Sequence, residues 1–146
     1  MTRDAEPPAA DGLIPVVAAV IERDGTFLLG LRPEGRRHGR MWEFPGGKVG
    51  KEESIADAIS RELREELGVT VTRVGELLFA ARDPGTAFEI LFYEVEIAGE
   101  PCAVEHDRIR WARRREYLEL PLAPADARFA KAGPAEPDGR RGQGAG

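Results

Sequence analysis

Three glutamates, Glu62, Glu65 and Glu66, stand in a stretch whose apolar residues recur at helical spacing. With Glu62 set at zero, Glu65 falls near about −60° and Glu66 near about +40°, so the carboxylates share an arc of roughly 100°. Ile59, Leu63 and Leu67 form the adjoining apolar stripe, so the acidic face borders the core. Like charges at these spacings repel by roughly 0.2–0.5 kcal/mol each, and a helix gains nothing from them by itself. A divalent cation reverses the sign. Carboxylate oxygens so spaced suit Mg²⁺, which takes a few of them and keeps its other positions for water and phosphate oxygens. On these residues alone the alternative is a solvated acidic face, with Arg61 and Arg64 pairing locally.

The flanking residues decide between the two. Gly47 is followed after five residues by Glu53 and after seven more by Arg61-Glu62-Leu63; Glu65-Glu66, Gly68 and Val69 complete the run. Written as GX5EX7REUXEEXGU, with U aliphatic, GKVGKEESIADAISRELREELGV (47–69) satisfies every specified position. At average residue usage, seven fixed positions coincide by chance on the order of once in 10⁸–10⁹ starts. The segment resembles the signature box of the Nudix hydrolases. That resemblance implies an α/β Nudix fold with a loop–helix–loop catalytic motif, and cleavage of a phosphoanhydride with Mg²⁺, Mn²⁺ substituting. Carried over position by position, it makes Glu62, Glu65 and Glu66 the metal-binding acids and Gly46 a carbonyl ligand, with Glu53 a more distant support. Arg61 reads as a structural partner that holds the glutamates in place. One departure stands in the loop, where Gly50-Lys51-Glu52 replaces the commoner E-x-G. It touches no expected ligand and puts loop shape in question.

Further residues resemble the MutT-type branch of the family and its CTP pyrophosphohydrolases. WEFPGGKV (42–49) leads into the box, and Arg32 lies twelve residues before Phe44, where that branch carries a phosphate-contacting arginine. A guanidinium grips phosphate oxygens bidentately. Arg36, Arg37, His38 and Arg40 add positive potential to the same loop, with Arg37 a second substrate contact and His38 an exposed polar residue. Phe44, Pro45, Gly46 and Gly47 border the expected substrate pocket, while Trp42 and Trp111 read as core. PLAPADARF (121–129) resembles an element whose amide or carboxylate meets the nucleobase edge, here Asp126. An ionised aspartate only accepts hydrogen bonds, which favours an exocyclic amino group, as on cytosine or adenine. Glu105, six residues before Trp111, matches an acid that approaches the metal from a loop. The implied catalytic set is Glu62, Glu65, Glu66 and Glu105, with Glu62 or Glu105 as general base. The implied reaction is hydrolysis of a nucleoside triphosphate, cytidine-type or modified, to monophosphate and pyrophosphate.

Two other readings remain. Pro84, 15 residues beyond Val69 and followed by Gly85, has the spacing of ADP-ribose pyrophosphatases. A non-catalytic, nucleotide-sensing Nudix module is the other, but such modules typically lose box glutamates and none is lost here.

These residues need a scaffold, and the rest of the chain supplies its pattern. The 146 residues suit one domain, with 42% hydrophobic and 32% charged content typical of a globular chain. LIPVVAAVIE (13–22) and TFLLGLR (26–32) read as strands joined by an Asp24-Gly25 hairpin turn. WEF (42–44) reads as a short strand stopped by Pro45-Gly46-Gly47, and residues 54–68 as a helix capped by Ser54 and closed by Gly68. Residues 69–82, 88–97 and 108–111 read as strands, with Asp83-Pro84-Gly85 turning between the first two. A short helix over 116–120 and another over 124–130 complete an α/β/α sandwich around a mixed β-sheet. The domain is expected over 13–130, with Gly-, Pro- and charge-rich disordered tails at 1–12 and 131–146. A single cysteine excludes an internal disulfide framework, and no segment reaches the roughly 18–20 apolar residues of a membrane span. The first residues lack the apolar region of a secretory signal. A net charge of −5 disfavours binding to a nucleic-acid polymer. The basic segment at 32–40, set against acids at 52–66, suits a small polyanion bound through metal. The expected partner is therefore a small-molecule nucleotide, with no membrane, for a cytoplasmic monomer or homodimer.

Overall fold

The computed structural model describes residues 12–133, so most of both expected tails lies outside the described residues. In chain order the elements are β1 (Ile14–Val20), β2 (Glu22–Arg23), β3 (Thr26–Leu31), β4 (Trp42–Glu43), β5 (Gly46–Lys48), α1 (Ile55–Leu67), β6 (Thr70–Arg82), β7 (Phe88–Ala98), β8 (Arg108–Ala112), α2 (Arg114–Tyr117) and α3 (Pro124–Ala132). Four strands form a mixed sheet in the order β5-β1-β7-β6, in which β1 and β7 run parallel. A second, antiparallel sheet carries β2, β3 and β4, with β8 on the other side of β3. The α/β/α architecture follows from how β1 divides its side chains. Val17 and Ala19, with Ile21 just beyond the strand, pack with the apolar stripe of α1 (Ile55, Ala58, Ile59, Leu63, Leu67). Ala18 and Val20 face the opposite core, with Phe92, Tyr117 and the α3 residues Ala125, Phe129 and Ala130.

Local chemistry sets the element ends. Asp24 and Gly25 both take positive φ, at 55° and 82°, and turn the chain from β2 into β3. Ser54 caps α1 by accepting the Asp57 N–H at 3.0 Å, and Gly68 closes it in the left-handed region at φ 70°. Both tryptophans are core residues. Trp42 is buried in one cluster and Trp111 packs on the other. The last helices differ slightly from expectation: α2 lies at 114–117 instead of 116–120, and α3 continues to Ala132.

The larger difference is β5. Gly46 and Gly47 read as a strand stop, yet they pair with Ala18 and Val17 on the edge of β1. Glycine is required here by close approach. A Cβ on Gly46 would overlap the Val17 carbonyl, and one on Gly47 would overlap the Glu62 carboxyl. The E-x-G departure also acquires a physical meaning, because Glu52 occupies the glycine place of that loop and takes φ 61°. A left-handed non-glycine residue costs about 1–2 kcal/mol. Glu52→Gly is therefore expected to raise unfolding free energy by about 0.5–1 kcal/mol, once glycine's greater unfolded entropy is subtracted. Gly46→Ala is expected to lower it by about 3 kcal/mol, since backbone must move to admit the methyl group. Urea denaturation of the two variants checks both signs.

Candidate active site

Glu62 and Glu66 lie one turn apart on α1, whose apolar stripe against β1 turns them toward β5. There the glycine pair leaves room for them. The Gly46 N–H donates to Glu66 Oε1 at 3.2 Å, and the Glu62 carboxyl packs over Gly47. The Ala19 N–H donates to the Pro45 carbonyl at 2.7 Å, which makes Ala18 and Gly46 a non-hydrogen-bonded pair. The N–H and carbonyl of Gly46 thus both turn away from β1.

Arg61 organises the start of this acidic face. Its Nε and Nη2 each donate to Glu53 at 2.8 Å, Nη2 also donates to the Lys48 carbonyl at 3.0 Å, and Nη1 donates to Glu62 Oε2 at 2.9 Å. That hydrogen-bonded guanidinium holds the Glu53 carboxyl down at about 2. Glu65 stands on the outer side of the helix, 3.6 Å from Arg61 Nη1, and its side chain is 52% exposed.

Glu105 arrives from the loop after β7, which is docked on the C-terminal end of α1. The Cys102 and Val104 N–H groups donate to the Leu67 and Glu66 carbonyls at 2.9 and 3.1 Å. These bonds satisfy helix carbonyls that have no intrahelical donor.

Glu62, Glu66 and Glu105 line one part of a cleft of about 400 Å³. Arg32, Arg36, Arg37 and His38 line another part, and Phe44, Ala123, Ala125 and Asp126 another. Of the expected site residues, Glu65 and Pro45 are absent from this lining, and Pro45 is fully buried behind it. Among the described residues, no three His, Cys, Asp or Glu side chains already converge as a metal-ligand group.

The electrostatics of the acid wall nevertheless fit a cation. Glu66 is 7% exposed. Burial, reinforced by the nearby Glu43, Glu62 and Glu105 carboxylates, pushes its carboxyl up to about 9. Burial also raises Glu62, against the opposing pull of Arg61. A hard divalent ion would relieve this repulsion, and oxygen donors are the ligands such ions take.

Two side chains are engaged differently from the sequence expectation. Arg32 is already paired, with Nη1 at 3.1 and 3.3 Å from the two Glu43 oxygens. His38 is part-buried instead of exposed, because its Nε2 lies 2.9 Å from Asp83 Oδ1. The same carboxylate accepts from Arg37 Nε at 3.1 Å, and Arg37 Nη2 donates to the Pro84 carbonyl at 3.0 Å. The basic loop is thereby tied to the β6–β7 turn.

Asp126 is 6% exposed and accepts the Phe44 N–H at 2.9 Å. Burial, with Glu43 adding repulsion, raises its carboxyl well above the usual range against the pull of that N–H. Both effects favour the neutral carboxyl, whereas the sequence expectation takes this side chain as an ionised acceptor. A protonated carboxyl both donates and accepts.

The sequence reading missed Glu43, Asp83 and His106. Glu43 lies inside WEFPGG and Asp83 inside a turn signal, so each had a ready structural explanation; burial singles out Asp83 and His106, and its Arg32 and His106 partners single out Glu43.

A NUDIX domain model matches residues 12–132. The chain belongs to the Nudix family and is a Nudix hydrolase. It is 44% identical over 117 residues to the CTP pyrophosphohydrolase of Escherichia coli, covering 78% of this chain and 86% of that one. It is 33% identical over 121 residues to the 8-oxo-dGTP diphosphatase of Haemophilus influenzae, covering 80% of this chain and 88% of the relative. Among solved structures, the solution structure of the E. coli ORF135 protein superposes with a TM-score of 0.72 at 40% identity, covering 86% of this chain and 91% of that one. The MutT Nudix hydrolase from Burkholderia pseudomallei gives 0.69 at 32% identity, covering 80% and 94%. Among the described residues, no helix is long and apolar enough to cross a membrane.

The charge crowding has a measurable consequence. Folded Glu66 keeps its proton up to about 9, whereas the unfolded carboxyl loses it near 4.5, so between these values the folded state binds more protons. Stability then falls as pH rises through that window, and the raised Glu62 and Asp126 act in the same direction. Metal-free protein is expected to melt several degrees lower at about pH 8.5 than at about pH 5.5. Glu66→Gln should flatten the slope, and identical slopes in variant and wild type would contradict the assignment.

Proposed function

We propose that this chain hydrolyses a cytidine-type nucleoside triphosphate, ribo or deoxy, to the monophosphate and pyrophosphate with Mg²⁺, Mn²⁺ substituting. The observation that carries the reading is one cleft holding three chemistries: acids on α1 and its docked loop, arginines on the loop after β3, and buried Asp126 beside Phe44. Those would meet, respectively, the reacting phosphorus, the polyphosphate and the base. The cation would be held by Glu62, Glu66 and the Gly46 carbonyl, with Glu65 from the rim, and would offset charge on the polyphosphate.

The chain's own groups do the rest. Arg32 and Arg37 orient the phosphates. Phe44 closes the cleft with apolar surface, stacked edge-on to Phe92, Tyr117 and Phe129. Water forms the new bond to phosphorus, the bond to the pyrophosphate oxygen breaks, and Glu62 or Glu105 takes the proton from the attacking water. Arg61 steadies Glu62 through its 2.9 Å hydrogen bond. In its neutral form Asp126 would present a donor and an acceptor together, which complements N3 and the N4 amino group of cytosine. An oxidised guanine edge also offers such a pair, so identity to the CTP-named relative supports the cytosine assignment.

Turnover of CTP, dCTP, 8-oxo-dGTP and ADP-ribose with Mg²⁺, scored for pyrophosphate against orthophosphate, tests the reading. The cytidine nucleotides are expected to give the highest kcat/KM, with pyrophosphate as product. A preference of about a hundredfold for 8-oxo-dGTP or ADP-ribose would move the substrate elsewhere. Glu66→Gln should lower kcat by about a hundredfold or more while the protein stays folded by circular dichroism.

A further inference from the structure

Glu43 sits where the parts of the cleft meet. It pairs with Arg32, and its charge acts on both Glu66 and Asp126. What holds Glu43 is His106. The His106 side chain is 5% exposed and its Nε2 lies 2.9 Å from Glu43 Oε2. Its place is prepared by the neighbouring strand. Gly30 stands directly across from Glu43 in the β3–β4 pairing, and a Cβ there would come within 2.5 Å of the His106 ring. The imidazole thus fills the space left by a missing side chain beside Glu43. Its Nδ1 is buried without a hydrogen-bond partner. A proton on Nδ1 would be an orphaned buried donor, whereas a proton on Nε2 meets a carboxylate. The ring therefore donates through Nε2.

This matters because Arg32 has two claims on it. Its Nη1 is bound to Glu43 and its Nε donates to the Arg37 carbonyl at 2.5 Å, yet on the proposed reading the guanidinium must reach a substrate phosphate. Without a second donor, Glu43 would be left as an unpaired carboxylate facing the acid wall each time Arg32 departed. We propose that His106 is a positioning residue, whose Nε2–H holds the Glu43 carboxylate so that Arg32 is free to move to a substrate polyphosphate. His106 acts through Glu43 and touches no substrate itself. The inference rests on the reading that Arg32 grips the phosphates of a nucleotide.

Three measurements on the full chain test it. In the substrate-free protein, two-bond ¹⁵N–¹H correlation spectra should show His106 as the Nε2–H tautomer, with that resonance shifted in Glu43→Gln. An Nδ1–H tautomer overturns the proposal, whatever the substrate proves to be. Calorimetric binding of a non-hydrolysable CTP analogue with Mg²⁺ should weaken about tenfold or more in His106→Leu, and recover in large part in His106→Gln, which keeps a donor. Cytidine, which lacks phosphates, should not show that loss. Equal losses in the Leu and Gln variants, or an equal loss for cytidine, mean a packing role only and overturn the proposal. In the Glu43→Gln background, His106→Leu should add no further loss; additive losses also overturn it. Wild-type protein that fails to bind the analogue at all sinks the nucleotide reading instead, and the tautomer measurement still decides whether His106 donates to Glu43.

Discussion

Carboxylates from Glu43, Glu62 and Glu105 push against that of Glu66, which burial already disfavours as an anion. The chain nevertheless takes considerable trouble to bring them together. The apolar stripe of α1 fixes the rotation of the helix against β1. The glycine pair of β5 lets the strand edge approach the acids more closely than any other residue would allow. The loop carrying Glu105 is tied to carbonyls of α1 itself. Each device raises the electrostatic cost of the metal-free state. Such an arrangement is intelligible when positive charge completes it, from a cation on the acid side and from Arg61 and Arg32 at its flanks.

Much of this was legible in the sequence, because it depends on local period and spacing. The face shared by Glu62 and Glu66, the Ser54 and Gly68 caps and the Asp24-Gly25 turn are properties of short segments, and the structure shows each of them. What was illegible depends on contacts between distant residues. Gly46-Gly47 reads as a breaker because propensity says so, and only the edge of β1 makes it a strand. His38 reads as exposed because its partner, Asp83, is 45 residues away. Asp126 reads as an ordinary ionised acceptor because the burial that disfavours its charge is conferred by other elements.

Glu43 shows the limit most clearly. In the sequence it is one more acid in a short strand. In the fold its partners come from Arg32 at the end of β3 and from His106 in the loop before β8, and its charge reaches both the acid wall and Asp126. A site read as separate metal, phosphate and base contacts is thus joined by one carboxylate. On the proposed function, occupying the phosphate region also changes the field felt by the acids and by the base-binding carboxyl. Substrate choice and metal affinity are then coupled through the same residue.

On the proposed function, Glu66 is held for a cation against its own tendency to keep a proton. Metal-linked proton release tests this most directly. Mg²⁺ is titrated into the nucleotide-free protein near neutral pH in buffers of different ionisation enthalpy, and protons released per ion bound are counted. Release of close to one proton per ion bound at the site, abolished in Glu66→Gln, is the predicted result. Mg²⁺ binding without proton release, or with release unchanged in that variant, would contradict the account.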